Sequence, residues 1–181
     1  MATWRRNPLD ATTIRPRKGN HIMLTNTQFY AGNVRRWQSY PAMWHSNDCI
    51  KGHQVRCLGL VYDFVQRPSV TLIEGTRWHD QPEVILGDMP FTAKRDWPVL
   101  AAAYDDAERV VIEGYNVPQP ATDWERHVVK FVDNLDAYMM VLEYAPDDLD
   151  LPDWTDANDV LYASCRSLAF DMDLLRAKIG D

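Results

Sequence analysis

The stretch "TRWHDQPEVILGDMPFTAK" concentrates residues that can do chemistry. His79 and Asp80 stand side by side, and an imidazole nitrogen and a carboxylate oxygen are suitable ligands for divalent zinc, manganese, iron or cobalt. Neighbours on a helix point about 100° apart, so both reach one ion most easily at a helix end. Pro82 predicts such an end, because proline lacks the N–H that a helix interior needs. Glu83 would then begin the next short helix, close to the ion without having to bind it.

Two ligands do not make a tight site, but the chain offers two more at inward-facing positions of predicted helices. His53 shares one helix face with Cys57 and the apolar residues after it in "KGHQVRCLGLVYDF". Asp133 lies at the edge of the apolar stripe in "WERHVVKFVDNLDAYMMVLEY". A satisfied core histidine is the ordinary alternative for His53 alone. As a set, His53, His79, Asp80 and Asp133 are consistent with the ligand shell of one divalent ion.

A second pattern points less clearly to a metal. His45, Cys49, His53 and Cys57 recur every four residues, and all four are residue types that bind zinc. On one helix they would extend over about 18 Å, so the four cannot reach one ion, although a single pair could. We therefore expect core cysteines and one functional histidine.

The hydrophobic spacing predicts an all-α protein. The segments "VTLIEG" and "RVVIEGY" are the only candidates for strands, and each lies within a longer helical pattern. Residues 1–22 have no sustained period and read as a basic N-terminal arm, and residues 23–181 as one domain. The predicted helices span about 25–36, 50–65, 68–79, 97–114, 122–144 and 156–178.

Composition excludes some classes of function. The net charge of −7 argues against non-specific nucleic-acid binding, which needs a positive surface. The sequence contains no apolar run of about 20 residues, so no membrane span is expected. Three cysteines without a CxxC pair do not form a disulfide framework, and they predict a reducing, cytoplasmic setting.

Six separated elements occur in an order that resembles a known signature. They are Arg36-Trp37, His53, His79-Asp80 with Glu83, the turn Gly87-Asp88-Met89-Pro90, Lys94 eleven residues beyond the glutamate, and Asp133 followed by "NLDAY". Together they resemble the HD-domain phosphohydrolases, in particular the bacterial 5'-deoxynucleotidases and the phage dATP triphosphohydrolases. The resemblance covers about residues 33–144. A longer interval between Trp37 and His53, and Thr92 where relatives often carry proline, predict a remodelled loop and pocket.

The resemblance implies an HD-type helical bundle with the metal site between its helices, and it implies roles for further residues. Glu83 would orient or deprotonate the attacking water, or protonate the leaving oxygen. Arg36 and Lys94 would bind phosphate oxygens. Trp37 would stack on or select the base, and Asp88 would bond the sugar 3'-hydroxyl. The alternatives are core packing for Trp37, an exposed lysine for Lys94 and a helix cap for Asp88.

The function implied by the resemblance is hydrolysis of a deoxynucleotide with a divalent Zn, Co, Mn, Fe or Mg ion. Several cations near the motifs favour a dATP-preferring triphosphohydrolase that yields deoxynucleoside and triphosphate. They are Arg35, Arg36, Lys51, Arg56, Arg77, Lys94 and Arg95. A 5'-deoxynucleotidase that hydrolyses dNMP is the first alternative, and a non-catalytic nucleotide-binding protein is the second. Relatives predict a homo-oligomer, and a phage-encoded enzyme would act in the host cytoplasm.

Overall fold

The computed structural model describes residues 31–181, so the predicted arm of residues 1–22 lies outside it. This described part is helical, and its β-structure is limited to a single bridge between Arg35 and Cys49. Two 3-10 helices, Pro41–Ser46 and Pro146–Asp150, accompany the α-helices. The α-helices are α1 Ile50–Phe64, α2 Val70–Trp78, α3 Glu83–Leu86, α4 Phe91–Asp96, α5 Pro98–Tyr115, α6 Asp123–Tyr144, α7 Pro152–Ser167 and α8 Met172–Ile179.

Helix α6 is the centre of the bundle and packs against α1, α2, α7 and α8. A capping box begins it, because Thr122 accepts from the backbone N–H of Glu125 while the Glu125 carboxylate accepts from that of Thr122. Apolar residues along one face of α6 are buried, as its amphipathic pattern predicts. They are Val128, Val129, Phe131, Val132, Leu135, Tyr138, Met140 and Val141.

Helices α1 and α2 lie beside α6 and complete the frame of the candidate site. Cys57, Leu60 and Val61 of α1 join the core formed with α6. Gly75 of α2 lies so close to Pro120 that an added Cβ would come within 2.8 Å of the proline ring. Glycine therefore allows the loop before α6 to pack directly on α2.

The predicted helices agree with the structure in four cases and differ in two. The segments near 50–65, 68–79, 97–114 and 122–144 are helices within a few residues of their predicted ends. Half of the predicted helix over 25–36 lies outside the described residues, and of its described residues Ala31 is helical whereas 32–36 form turns, bends and a β-bridge. The predicted helix over 156–178 is two helices, because Asp171 caps α8 through its side chain and Phe170 packs against Phe64 and Phe131.

Helix α5 lies at the periphery, where it contacts the short helices α3 and α4. Only Tyr104 and Val111 of its residues are buried, whereas Val99 is 86% exposed and Leu100 is 47% exposed. This helix therefore leaves an apolar face uncovered. None of the helices between residues 31 and 181 is both long and apolar enough to cross a bilayer.

Candidate metal centre

The turn after α2 presents the His-Asp pair. The helix ends at Trp78, and the backbone N–H of Gln81 donates to Trp78 O at 3.0 Å. The N–H of Glu83 donates to Asp80 O at 3.1 Å, and α3 begins at Glu83. The two predictions for this stretch, a helix end at the pair and a short helix that begins at Glu83, are both confirmed.

The four predicted ligands converge on one point between three elements. His53 Nε2 on α1 lies 3.1 Å from His79 Nε2 in the turn. The same nitrogen lies 3.2 Å from Asp80 Oδ2 and 3.2 Å from Asp133 Oδ1 on α6. His79 Nε2 is 3.3 Å from Asp80 Oδ1 and 4.0 Å from Asp133 Oδ1. Asp133 thus lies next to His79 and His53, although it follows them in the chain by 54 and 80 positions.

These separations match the donor set of a single ion. Nitrogen and oxygen ligands bind divalent transition metals at roughly 2.0–2.2 Å. Two such ligands of one ion then lie about 3.0 Å apart at a right angle and about 3.4 Å apart at a tetrahedral angle. Four of the five separations, 3.1, 3.2, 3.2 and 3.3 Å, fall between these limits. The fifth, 4.0 Å between His79 Nε2 and Asp133 Oδ1, corresponds to a wider angle at the ion. The residues present therefore fit a divalent cation.

Hydrogen bonds on the far side of each imidazole determine which nitrogen faces the cluster. His53 Nδ1 lies 2.6 Å from Asp136 Oδ2, and His79 Nδ1 lies 2.7 Å from the backbone oxygen of Thr76. These oxygens accept hydrogen bonds, so each Nδ1 carries a proton and each Nε2 is the nitrogen that would offer its lone pair to a cation. Two imidazole Nε2 atoms thus converge with two carboxylates, an arrangement that a cation would stabilise.

Both carboxylates of the cluster are ionised at neutral pH. Burial raises the pKa of Asp80, but the charges and hydrogen bonds of His79 and His53 outweigh it and hold the pKa at about 2. Burial likewise raises the pKa of Asp133, but a hydrogen bond with His53 and the charge of Lys130 hold it well below its usual value. The cluster therefore offers two negative charges to a cation.

A second grouping includes a cysteine. His53, Cys57 and His79 place ligand atoms within 4.8 Å of one another and could also hold a metal ion. Cys57 Sγ lies 3.6 and 3.7 Å from the two nitrogens of His53, which puts it beside the ring and not in line with the Nε2 lone pair. Burial raises the pKa of this thiol to about 11 in the absence of a metal ion. By their position around His53 Nε2, the carboxylates are the better placed third and fourth ligands.

The other members of the four-residue repeat lie elsewhere. Cys49 is the N-cap of α1 and therefore precedes the helix. His45 belongs to the first 3-10 helix, where its ring packs edge-on against Tyr144 at 5.5 Å. Of the four residues in the repeat, only His53 belongs to the cluster formed with His79, Asp80 and Asp133. This agrees with the expectation that four residues spread along one helix cannot reach one ion.

Glu83 is buried beside the cluster, with 9% of its surface exposed. Its Oε2 has no hydrogen-bond partner among the described residues. Burial raises the pKa of Glu83 to about 10, and the carboxylates of Asp80 and Asp88 add to the increase. The Glu83 carboxyl is thus neutral in this structure and can donate a proton.

The predicted phosphate ligand Arg36 lies at the inner edge of the site. Its NH1 is 3.4 Å from Asp136 Oδ2 and 3.5 Å from Asp48 Oδ2. Its guanidinium carbon lies 5.3 Å from the centre of the Trp37 ring. Trp37 itself packs on Tyr40 and donates to Asp48 at 3.2 Å, so much of its indole contacts protein.

Lys94 and Asp88 both lie near enough to Glu83 to affect its pKa. The ammonium of Lys94 is 4.9 Å from the centre of the Tyr104 ring and 3.9 Å from Glu108 Oε1. Burial raises the pKa of Asp88, while the charges of Arg36 and Lys94 oppose the increase. Asp88 therefore shares one electrostatic environment with Asp80 and His53 of the cluster.

The structure adds Asp136 and Lys130, which the sequence did not single out, and it gives carboxylate partners to Arg56, which the sequence singled out only as a nearby cation. On α6, Asp136 accepts from His53, and Lys130 Nζ lies 2.9 Å from Asp133 Oδ2. Arg56 joins the carboxylates of Asp136 and Asp48. The available signal for Asp136 was its position three residues after a predicted ligand, on the same face of the helix.

Comparison with protein-family models, curated proteins and solved structures gave no match to this chain. The fold and the cluster of the described residues nevertheless indicate a class of protein. They form an all-helical bundle with a cluster of histidines and carboxylates that could hold a divalent metal ion.

Proposed function

We propose that this chain is a metal-dependent phosphohydrolase of the HD-domain type that acts on 2'-deoxynucleotides. The observation that carries the proposal is the convergence of His53, His79, Asp80 and Asp133 at separations that suit one cation. The HD-type sequence pattern supports the same four residues as ligands. Glu83, the motif's acidic residue, lies beside them in the electrostatic range of Asp80.

Two imidazole nitrogens and two carboxylate oxygens favour a divalent transition metal over magnesium, which prefers oxygen ligands. When bound, such an ion lowers the pKa of water and neutralises charge on a phosphoryl group. The remaining chemistry is provided by the side chains around the cluster.

Glu83 is the proposed proton carrier. Its raised pKa gives it a proton to donate to the leaving oxygen of the deoxynucleoside. If positive charge reduces the effect of Asp80, the pKa falls toward the range in which the same carboxyl can accept a proton from the attacking water. Burial keeps the carboxyl away from bulk solvent in either role.

Arg36 and Lys94 are the proposed phosphate ligands, and Lys130 joins them. Arg36 lies 3.4 Å from Asp136, Lys130 lies 2.9 Å from Asp133, and the charges of Arg36 and Lys94 both lower the pKa of Glu83. An anion at the cluster would therefore lie near several positive charges. Asp88 remains the candidate for the sugar hydroxyl, and the edge of Trp37 the candidate for base selection.

The number of phosphates depends on how many cations are available. Arg36, Lys94 and Lys130 together could contact more than one phosphoryl group, so a dATP-preferring triphosphohydrolase remains our first proposal. All three lie near carboxylates in this structure, Arg36 near Asp48 and Asp136, Lys94 near Glu108 and Lys130 near Asp133. Further cations near the motifs are also paired: Arg56 binds Asp48 and Asp136, and Arg95 binds Asp96 and Asp153. Paired cations are less available to a triphosphate. The structure therefore gives more weight than the sequence to the second candidate, a 5'-deoxynucleotidase.

We further propose that copies of the chain associate through α5. Its exposed face carries Val99 and Leu100 next to Trp97, which is 68% exposed. An apolar face of this kind on a peripheral helix is typical of an interface.

The three cysteines are free thiols, which supports a reducing compartment such as the cytoplasm.

The direct test is incubation of the metal-loaded protein with each dNTP and each dNMP, followed by identification of the phosphate product. Triphosphate from dATP supports the first proposal. Orthophosphate from dNMP, with every dNTP unchanged, supports the 5'-deoxynucleotidase. Binding of nucleotides without any product would overturn both and favour a non-catalytic nucleotide-binding protein.

A further inference from the structure

Asp136 contacts a metal-ligand candidate from behind. It is 2% exposed and lies one turn after Asp133 on α6. Its Oδ2 accepts from His53 Nδ1 at 2.6 Å, while the Nε2 of the same ring faces the cluster. A carboxylate in this position fixes the tautomer and the orientation of an imidazole, and increases its basicity as a ligand.

Arg56 holds Asp136 in place through both of its carboxylate oxygens. Arg56 Nε donates to Asp136 Oδ1 at 2.6 Å, and an Arg56 NH2 donates to Oδ2 at 3.0 Å. The same NH2 donates to both oxygens of Asp48, at 3.0 and 2.9 Å. Arg36 lies 3.4 Å from Asp136 as a second cation. The Asp136 carboxylate therefore has little freedom to rotate away from His53.

We propose that Asp136 is a positioning residue for the metal centre, which holds His53 with its Nε2 lone pair directed at the ion, and that Arg56 fixes Asp136. This inference rests on the proposed metal site. It adds a residue that binds neither the ion nor the substrate but determines how tightly the ion is bound.

The charge and the geometry of Asp136 both contribute. An asparagine at this position can present its NH2 to the histidine, which would leave Nδ1 unprotonated and place the proton on Nε2, where it blocks the ligand lone pair. An asparagine that presents its oxygen keeps the tautomer but removes the negative charge. In either orientation, metal affinity is expected to fall by about 10-fold to 100-fold.

The experiment compares Asp136→Asn with Asp48→Asn. Asp48 is a matched control, because it is also buried and also bound by Arg56, but it has no contact with His53, His79, Asp80 or Asp133 among the described residues. Zn²⁺ affinity is measured by competition with a chromophoric chelator. Co²⁺ absorption in the visible range reports the ligand geometry separately.

Asp136→Asn is expected to bind Zn²⁺ at least about 10-fold more weakly than wild type and to change the Co²⁺ spectrum, while Asp48→Asn keeps both. Equal affinity in Asp136→Asn, or an equal loss in Asp48→Asn, would overturn the inference and leave the metal site itself intact. Failure of the wild-type protein to bind either ion would instead refute the proposed function, and this inference with it.

Loss of folding is controlled by a second variant. Asp136→Glu keeps a negative charge opposite Arg56, but its longer side chain moves the carboxylate relative to Nδ1. If Asp136→Asn lacks the helical circular dichroism signal of wild type, Asp136→Glu is measured in its place. It is expected to bind Zn²⁺ more weakly than wild type, and equal affinity would contradict the positioning role.

Discussion

Replacement of Glu83 by glutamine is predicted to remove a pH-dependent loss of stability from the metal-free protein. The buried Glu83 carboxyl has a pKa of about 10, compared with an ordinary value of 4.5, because of burial and then the charges of Asp80 and Asp88. Above pH 4.5 the unfolded chain loses this proton, whereas the folded chain retains it. The wild-type protein therefore loses stability as the pH rises between these two values, and a glutamine, which does not titrate, loses none.

The size of the effect follows from the linkage between proton binding and stability. Each pH unit between 4.5 and 10 lowers the free energy of unfolding of wild type by about 1.4 kcal/mol. At pH 7 the accumulated loss is at most about 3.5 kcal/mol, a large share of the stability of a small domain. The advantage of Glu83→Gln over wild type should therefore increase steadily with pH.

The assay is urea unfolding in the presence of EDTA, followed by circular dichroism at about pH 5, 6 and 7. Glu113→Gln is the control for the change from carboxylate to amide, because this side chain on α5 is 68% exposed. The quantity compared is how the difference in free energy of unfolding between Glu83→Gln and wild type changes with pH. A constant effect of the amide on stability cancels in this comparison. A difference between Glu83→Gln and wild type that stays constant from pH 5 to 7 would refute the reasoning.

Three further predictions concern turnover, folding and assembly. Glu83→Ala should keep metal and substrate affinity but slow turnover by about 100-fold in steady-state assays, and full activity would contradict its role. Glu125→Gln should lower the free energy of unfolding at pH 7, measured in urea, by about 2 kcal/mol. The reason is that the carboxylate accepts hydrogen bonds from Ser69, Thr71 and two backbone N–H groups. An unchanged free energy of unfolding would contradict this. Val99→Glu should lower the mass measured by light scattering to that of a monomer, and an unchanged oligomer would exclude this face of α5.

The sequence was sufficient to predict the helices that bury an amphipathic face. The 3.6-residue period predicted α1 and α6, and with them the inward position of His53 and the edge position of Asp133. Pro82 predicted the helix end that presents His79 and Asp80. These signals are local, so a single sequence contains them.

The remaining features depend on contacts between distant parts of the chain. The hydrogen bond from His53 to Asp136 joins residues 83 positions apart, and no period within one helix predicts it. The break before α8 depends on Phe170, which contacts Phe64 and Phe131 of other helices. The Asp171 cap was a local signal of this break, but the continuous helical spacing on both sides concealed it.

The central claim is that His53, His79, Asp80 and Asp133 bind one metal ion, and calorimetric titration with Zn²⁺ tests it most directly. His79→Ala is the informative variant, because His79 faces the cluster and its loss removes one of four donors without adding a charge. The prediction is one ion per chain for wild type and no measurable binding for His79→Ala. No binding by wild type, or the same affinity in His79→Ala, would contradict it.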